Sequence, residues 1–491
     1  MARWISDHAG IRPLAQSEKS YGFMDLFWNW FGDSANASSW YFGGLLALAG
    51  IPILLWNTFL LTPLIILPWA VLAWISARTG ATTVVLARPA LGEKEGTLFL
   101  GVAETFVQLG WTTVTTYIGA LSLVHILHRT AGATSSSPAS LSMVAAILAI
   151  ALVQGVVAAA GAEAIRLLKW VSSLLLILLG GIESFSLVRQ FGITPLLSPP
   201  PPSSAPFSPL RLFDISFINV WTWLQVGDFG RFSKTEKGAF FGSWLGLWAG
   251  QAWFVMVGAM AVVGLGLATG HLTADDSDPS RLMERMGLSW VALSVIFLSC
   301  VSVSASNLYG AGMGLLSLIS KKKAPEPFKA LAIVSALQIF TAFIPLFFGS
   351  FIGFFTDFLT AIGGLFIPLW SLVLAEAYLM SRGKTPETPP LPETTPYWQP
   401  RKANLAGWIS LVCGSLFYYL ASHFWPALVA RTGLTIPSIL ITVGSYVVLS
   451  RLLPQARSAQ ELVEHEEEES KEKERQDLAS PGRAPESPGK E

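Results

Sequence analysis

"WNWFGDSANASSWYFGG" runs from Trp28 to Gly44 and opens an apolar stretch that continues through "LLALAG". Asp33, Ser34, Asn36, Ser38 and Ser39 sit in its middle. A segment apolar enough to enter a bilayer carries such groups for one of two reasons. Either the helix is broken there, so that freed carbonyls and small polar side chains line a cavity. Or the segment is a helix start lying shallow at the interface, anchored by Trp28 and Trp30. Gly32 removes a side chain, and Gly43–Gly44 lets another backbone come close.

The rest of the chain sets the context. It has 491 residues, 52% hydrophobic and 13% charged, with a mean hydropathy of +0.52. A soluble domain carries about twice that charged fraction. Apolar runs long enough to cross a bilayer as helices recur throughout, and barrel strands would be shorter and alternating. The expected fold is an all-α integral membrane protein. Cys300 and Cys413 give no disulfide framework or metal spacing, and His125 and His128 are too isolated for a metal site. The N-terminus is polar, with no cleavable signal pattern.

Twelve spans are predicted, near 26–47, 52–77, 98–125, 139–161, 165–189, 213–229, 238–268, 288–318, 330–348, 350–381, 405–424 and 434–453. With the N-terminus inside, 19 lysines and arginines fall on the inner side, Arg166 and Lys169 among them, against 6 outside. That bias puts both termini in the cytoplasm. The organisation that follows is a cytoplasmic segment (1–25), five helices (26–189), a proline-rich outer loop (190–212), five more helices (213–381), a cytoplasmic linker (382–404), two added helices (405–453) and a charged, disordered tail (454–491). Nothing in it calls for a nucleic acid.

Polar side chains are costly in hydrocarbon, so those inside spans mark a cavity or a helix contact. Besides the opening stretch, three clusters stand out. In "AETFVQLGWTTVTTY" the spacing of Glu104, Gln108 and Trp111 puts a carboxylate, an amide and an indole on one helix face. That set suits a flat, hydrogen-bonding heterocycle stacked on Trp111; the plain reading is an interhelical polar contact. In "FINVWTWLQVGDFGRF" the sixth span is short and interrupted by Asn219, Gln225 and Gly227. It matches the interrupted first span if the chain is two five-helix halves. Asp228 and Arg231 are expected to pair at the inner face. In "SCVSVSASNLYGAG" the hydroxyls of the eighth span suit a hard cation such as sodium, or merely let helices pack.

At these residues the chain resembles the nucleobase:cation symporter-1 permeases, which include cytosine, hydantoin, allantoin and uracil permeases. The likeness is carried by "ARTGATTVVLARPALG", "VQLGW", "GAEAIRLLKW", "DFGRFSK", "SNLYGAG" and "LAEAYLMSRG", in order over nearly all spans. The first and third spans are similar to the branch linked to hydroxymethylpyrimidine, a thiamine precursor. The resemblance implies a leucine-transporter-like five-plus-five inverted repeat with two added helices, a midplane site and alternating access. It implies that Gln108 and Trp111 contact the heterocycle, with Asn307 near a substrate-contacting amide. Gly32, Asn36, Ser299, Ser302 and Val303 fall at its cation site, and Val303 stands where a hydroxyl residue is usual. Asn219 replaces an expected stacking aromatic, a role that Trp221 or Trp223 can take. Ala377-Tyr378, preceded by Glu376, replaces an Asp-Tyr pair.

Asp33 and Glu104 depart from the pattern. Either one couples transport to protons or binds an exocyclic amine of the substrate, and the two carboxylates could share a proton. The expectation is a monomeric importer of cytosine, hydroxymethylpyrimidine or a related nucleobase in the plasma membrane. It uses no cofactor beyond a coupling Na+ or H+. A heterocycle-gated channel, a sensor built on the same pocket and a transporter of another small amphipathic solute are the alternatives. No His-Glu-x-x-His or Gly-x-Ser-x-Gly pattern supports an enzyme.

Overall fold

The computed structural model describes residues 12–47, 49–131, 141–197, 209–223, 225–270, 290–319, 327–348, 351–381 and 402–453. The proline-rich stretch at 198–206, most of the 382–404 linker and the charged tail lie outside the described residues.

The opening stretch breaks. Helix α1 (Phe23–Ser34) stops where Ala35 leaves helical geometry, with φ −82° and ψ 66°, and α2 (Ala37–Ala47) resumes the span. Asn36 makes the joint. Its Oδ1 accepts from the Ser38 N–H at 2.7 Å and the Ser39 N–H at 3.2 Å, and its Nδ2 donates to the Asp33 carbonyl. That is an N-cap for α2, and it satisfies backbone groups that hydrocarbon would leave bare.

Next come α3 (Ile51–Thr79), α4 (Glu93–Ala131), α5 (Leu141–Ala159) and α6 (Ala162–Phe191). Helix α3 contains one wide turn at Asn57–Leu61, just before Pro63, which has no N–H to close an ordinary turn. The sixth span is also broken, into α7 (Pro209–Trp221) and the short α8 (Val226–Gly230). Two indoles meet carbonyls freed by that break: Trp69 Nε1 donates to Trp223 O at 2.9 Å, and Trp111 Nε1 to Thr222 O at 3.3 Å. The remaining helices are α9 (Glu236–Thr269), α10 (Trp290–Ile319), α11 (Pro327–Thr341), α12 (Phe351–Ser381), α13 (Leu405–Phe424) and α14 (Thr435–Leu452).

Nine helices among the described residues are long and apolar enough to cross a bilayer. The other three predicted spans are the two broken ones and α4, which carries the polar face with Glu104 and Gln108. Helices α4 and α10 pack along each other, and α9 packs against α1, α2 and α3. The α2–α9 contact has no room for side chains. A Cβ on Gly43 would stand 2.0 Å from Val255 O, and one on Gly258 would stand 2.1 Å from Trp40 O. Phe106, Leu152, Phe185 and Phe340 point outward and are exposed, as suits a surface that meets lipid tails.

The segment before α1 crosses the end of α3 and the turn after α8. Lys19 Nζ donates to Ala77 O at 2.5 Å, and Tyr21 and Phe232–Lys234 exchange backbone hydrogen bonds at 2.9 and 2.8 Å. There the Arg12 guanidinium, helped by the Ala15 N–H, holds the Glu18 carboxyl down at about 2. Across the pH range of ordinary transport, that anchor stays ionised.

Candidate functional site

The two helix breaks face each other across α4 and α10, and a cavity lies between them. Its lining takes Asp33, Asn36 and Ser38 from the first break and Trp223 and Gln225 from the sixth span. Helix α4 adds Gln108, Trp111 and Thr115, and α10 adds Val303 and Asn307. The space free for the centre of a water-sized sphere is only about 20 Å³, so the cavity is contracted and a nucleobase needs it to widen. Trp111 and Trp223 stand edge to face, with ring centroids 6.2 Å apart, and Phe358 meets Trp111 from another side at 5.4 Å.

One polar chain runs through the site. Lys169, on α6, is fully buried and forms an ion pair with Asp33. Its Nζ also donates to Ser306 Oγ at 2.9 Å and stands 5.1 Å over the Phe229 ring. Ser306 Oγ donates to Gln225 Oε1 at 3.1 Å. Gln225 Nε2 then donates to Asn307 Oδ1 at 2.7 Å and to Gln108 Oε1 at 3.1 Å. A buried charge pair is thus wired to three of the amides that line the cavity, Gln225, Gln108 and Asn307, through hydrogen bonds that a low-dielectric interior strengthens.

The predicted residues divide. Asp33, Asn36, Gln108, Trp111, Trp223, Val303 and Asn307 meet at the cavity. Gly32, Ser299 and Ser302 do not line it. Gly32 is a packing position, since a Cβ there would lie 2.6 Å from Ser173 Oγ. Ser302 is hydrogen-bonded to Ser172 at 3.2 Å, and Ser299 is buried. Trp221 turns away: its Nε1 donates to Ile65 O at 2.9 Å, and its ring lines a separate apolar groove with Phe217 and Tyr378. Asn219 is buried outside the lining. Glu104 lies one turn from Gln108 and meets Asp228 instead. The carboxylates of Asp33 and Glu104 therefore do not share a proton, because each has a different partner. Asp228 accepts from Thr83 Oγ1 at 3.0 Å and from Thr83 N at 3.3 Å, with Arg231 near enough to act on its charge. Glu376, at the altered pair closing α12, accepts from Tyr446 Oη at 2.6 Å.

Lys169 corrects the sequence reading. Counted there among inner charges, it lies inside the bundle, fully buried. The signal for it was the stripe Lys169, Ser172, Ser173 and Leu176, spaced to share one helix face. Thr115, which bonds Ser304 at 2.6 Å, was also passed over as a site residue, while Ser306, one of the eighth-span hydroxyls read as suiting a cation, meets Lys169 instead.

Bilayer-crossing helices around a polar pocket, with two of them interrupted at that pocket, are the build of a membrane permease. The chain belongs to the family of permeases for cytosine/purines, uracil, thiamine and allantoin, whose family model matches residues 13–436. It is 23% identical over 390 residues to the cytosine permease of Escherichia coli (strain K12), covering 79% of this chain and 81% of that one. It is 25% identical over 317 residues to the allantoin permease of Bacillus subtilis (strain 168), covering 62% and 63%. In fold it is similar to Mhp1, a nucleobase-cation-symport-1 family transporter, in a closed conformation with bromovinylhydantoin bound. That match has a TM-score of 0.67 at 17% identity and covers 91% of this chain and 96% of the other. A Na+-coupled sialic acid symporter matches with a TM-score of 0.65 at 12% identity, covering 93% and 94%. These are transporters, so the family is one of permeases and not of enzymes.

Proposed function

We infer that the protein imports a nucleobase or related pyrimidine- or purine-like heterocycle, cytosine or hydroxymethylpyrimidine first among them, by proton symport with alternating access. The observation that carries this reading is the Lys169 ammonium, held between Asp33 and Ser306 and linked through Gln225 to Gln108 and Asn307. A sodium ion would find the Asp33 charge already compensated. It would also find the Asn36 and Ser302 oxygens engaged, and an alkyl group at Val303. A proton needs none of those ligands. It exchanges on the Asp33–Lys169 pair, and Ser306 and Gln225 pass the change to the amides that read the ring edge. By linkage, proton and heterocycle then raise each other's affinity by the same factor.

In this reading the ring enters between Trp111 and Trp223. Twelve spans form two inverted five-helix repeats and two added helices, and the break at Asn36 and the one between α7 and α8 occupy matching positions. The protein sits as a monomer in the plasma membrane with both termini in the cytoplasm. Support for the layout comes from the paired breaks and from the likeness to Mhp1.

The test is uptake of labelled cytosine into cells lacking their own permeases, competed with hydroxymethylpyrimidine, uracil, hydantoin, allantoin and thiamine. A proton gradient and a sodium gradient are imposed in turn. Accumulation driven by the proton gradient alone supports the reading. Accumulation that needs sodium and ignores the proton gradient overturns its coupling ion, and the absence of both uptake and competition overturns its substrate class.

A further inference from the structure

Directly beyond the cavity, the same two elements meet a second time. Gln108 on α4 holds Gln225 at the start of α8. Four residues before Gln108 is Glu104, three after Gln225 is Asp228, and these two buried carboxyl groups adjoin. The amide rung borders the cavity and the acid rung does not. With the N-terminus inside, α4 runs outward and α8 inward, so the acid rung lies on the cytoplasmic side as a floor.

The two carboxyls are not equivalent. Asp228 takes both donors of Thr83, its hydroxyl at 3.0 Å and its N–H at 3.3 Å, and feels Arg231. Glu104 is fully buried and, among the described residues, no N–H or O–H of another residue reaches either of its oxygens. Two adjoining carboxyl groups buried away from water repel as a pair of anions, which favours a proton on one of them. Asp228 has the donors that suit an anion and Glu104 has none, so the proton sits on Glu104.

Among the described residues, Arg231 is the cation that acts on this pair. The turn Thr83–Leu86 presents Thr83, and α10 presents hydroxyls and amides. Arg88, beside the start of α4, is turned to Thr97, and Lys169 is committed to Asp33 and stands over the Phe229 ring. The floor is also tightly seated, because a Cβ on Gly227 would stand 2.4 Å from Thr83 N.

We propose that the Glu104–Asp228 pair is a second proton-binding site, separate from the substrate cavity, whose proton keeps the cytoplasmic floor shut. When that proton leaves to cytoplasmic water, two adjoining anions repel, α8 parts from α4, and the inner path opens. Reprotonation from the same water closes it. This rests on the alternating-access reading above but not on its coupling ion.

The test measures labelling from the cytoplasmic side. In full-length protein carrying Cys300→Ser and Cys413→Ser, Val303→Cys places a near-isosteric reporter in the cavity wall. Inside-out membrane vesicles are treated with a small impermeant thiol reagent between about pH 6 and about pH 8.5, and rates are corrected for thiol ionisation on the denatured protein. The expected result is labelling that rises about tenfold with pH, and a low, flat profile once Glu104→Gln replaces the proton with a permanent amide donor. Asp228→Asn, which leaves Glu104 no second anion to repel it, gives the same flat profile if Glu104→Gln does not fold. A flat profile in the reporter protein overturns the proposal, and so does a rise that persists in both variants. Cytosine uptake in vesicles carrying the protein with Val303 intact separates failure of this site from failure of the permease reading.

Discussion

Lys169 Nζ donates to Ser306 Oγ at 2.9 Å while paired with Asp33, and both charged side chains are buried. Removing one member of a buried pair strands the other charge, at a cost of about 3–5 kcal/mol. Lys169→Met is therefore expected to lower the thermal unfolding temperature and abolish proton-driven accumulation. The double variant Asp33→Asn with Lys169→Met should regain stability without regaining accumulation. Thermal unfolding and uptake, measured on the same preparations, check both halves. Accumulation that survives in Lys169→Met removes the pair from coupling.

Trp111 and Trp223 share the cavity, and Trp221 does not. Base–aromatic stacking is worth about 1–3 kcal/mol, so Trp111→Ala or Trp223→Ala should weaken heterocycle binding about 5- to 150-fold. Trp221→Ala should leave affinity nearly unchanged while costing stability, since its indole bonds Ile65 O. Equilibrium binding to purified protein measures this, and wild-type affinity in Trp111→Ala would end the stacking claim.

Asn36 caps α2, which separates a structural role from ion ligation. Asn36→Ala should cost about 0.5–2 kcal/mol of stability, and Asn36→Asp should recover most of it. Calorimetry on the two variants measures the cap. A selective change in cation dependence at unchanged stability would return Asn36 to the ion-ligand role.

Gly43 and Gly258 let α2 and α9 touch backbone to backbone. Gly43→Ala and Gly258→Ala each force the helices apart, at a cost of about 1–3 kcal/mol or more. Gly444 on α14 has nothing within 4 Å of a built Cβ. Gly444→Ala should therefore be neutral or stabilising by about 0.5–1 kcal/mol. Parallel thermal unfolding curves would show the contrast.

The helices and both breaks were legible along the chain because their causes are local. Apolar runs of bilayer length demand helices, and polar clusters inside them mark where hydrogen bonding must be remade. Asn36 followed by Ser38 and Ser39 is a capping pattern in plain view, and the interruption at Gln225–Gly227 is another. The cavity side chains Gln108, Trp111 and Asn307 were readable for the same reason, since helical spacing sets the face each presents.

Pairing was not local. Lys169 reads as one more inner charge until α6 packs beside α1 and brings it to Asp33, some 136 positions earlier in the chain. Glu104 and Asp33 both read as lone carboxylates, and packing gave them different partners. Nothing in the order of residues distinguishes Trp221 from Trp223, yet the unwound turn after α7 sends one to Ile65 and the other to the cavity. By itself the sequence determined that this chain is a helical membrane protein with two interrupted spans, because hydrocarbon enforces that on every segment separately. Only the tertiary structure decided which buried charges neutralise one another, because desolvated groups take the nearest partner that packing supplies.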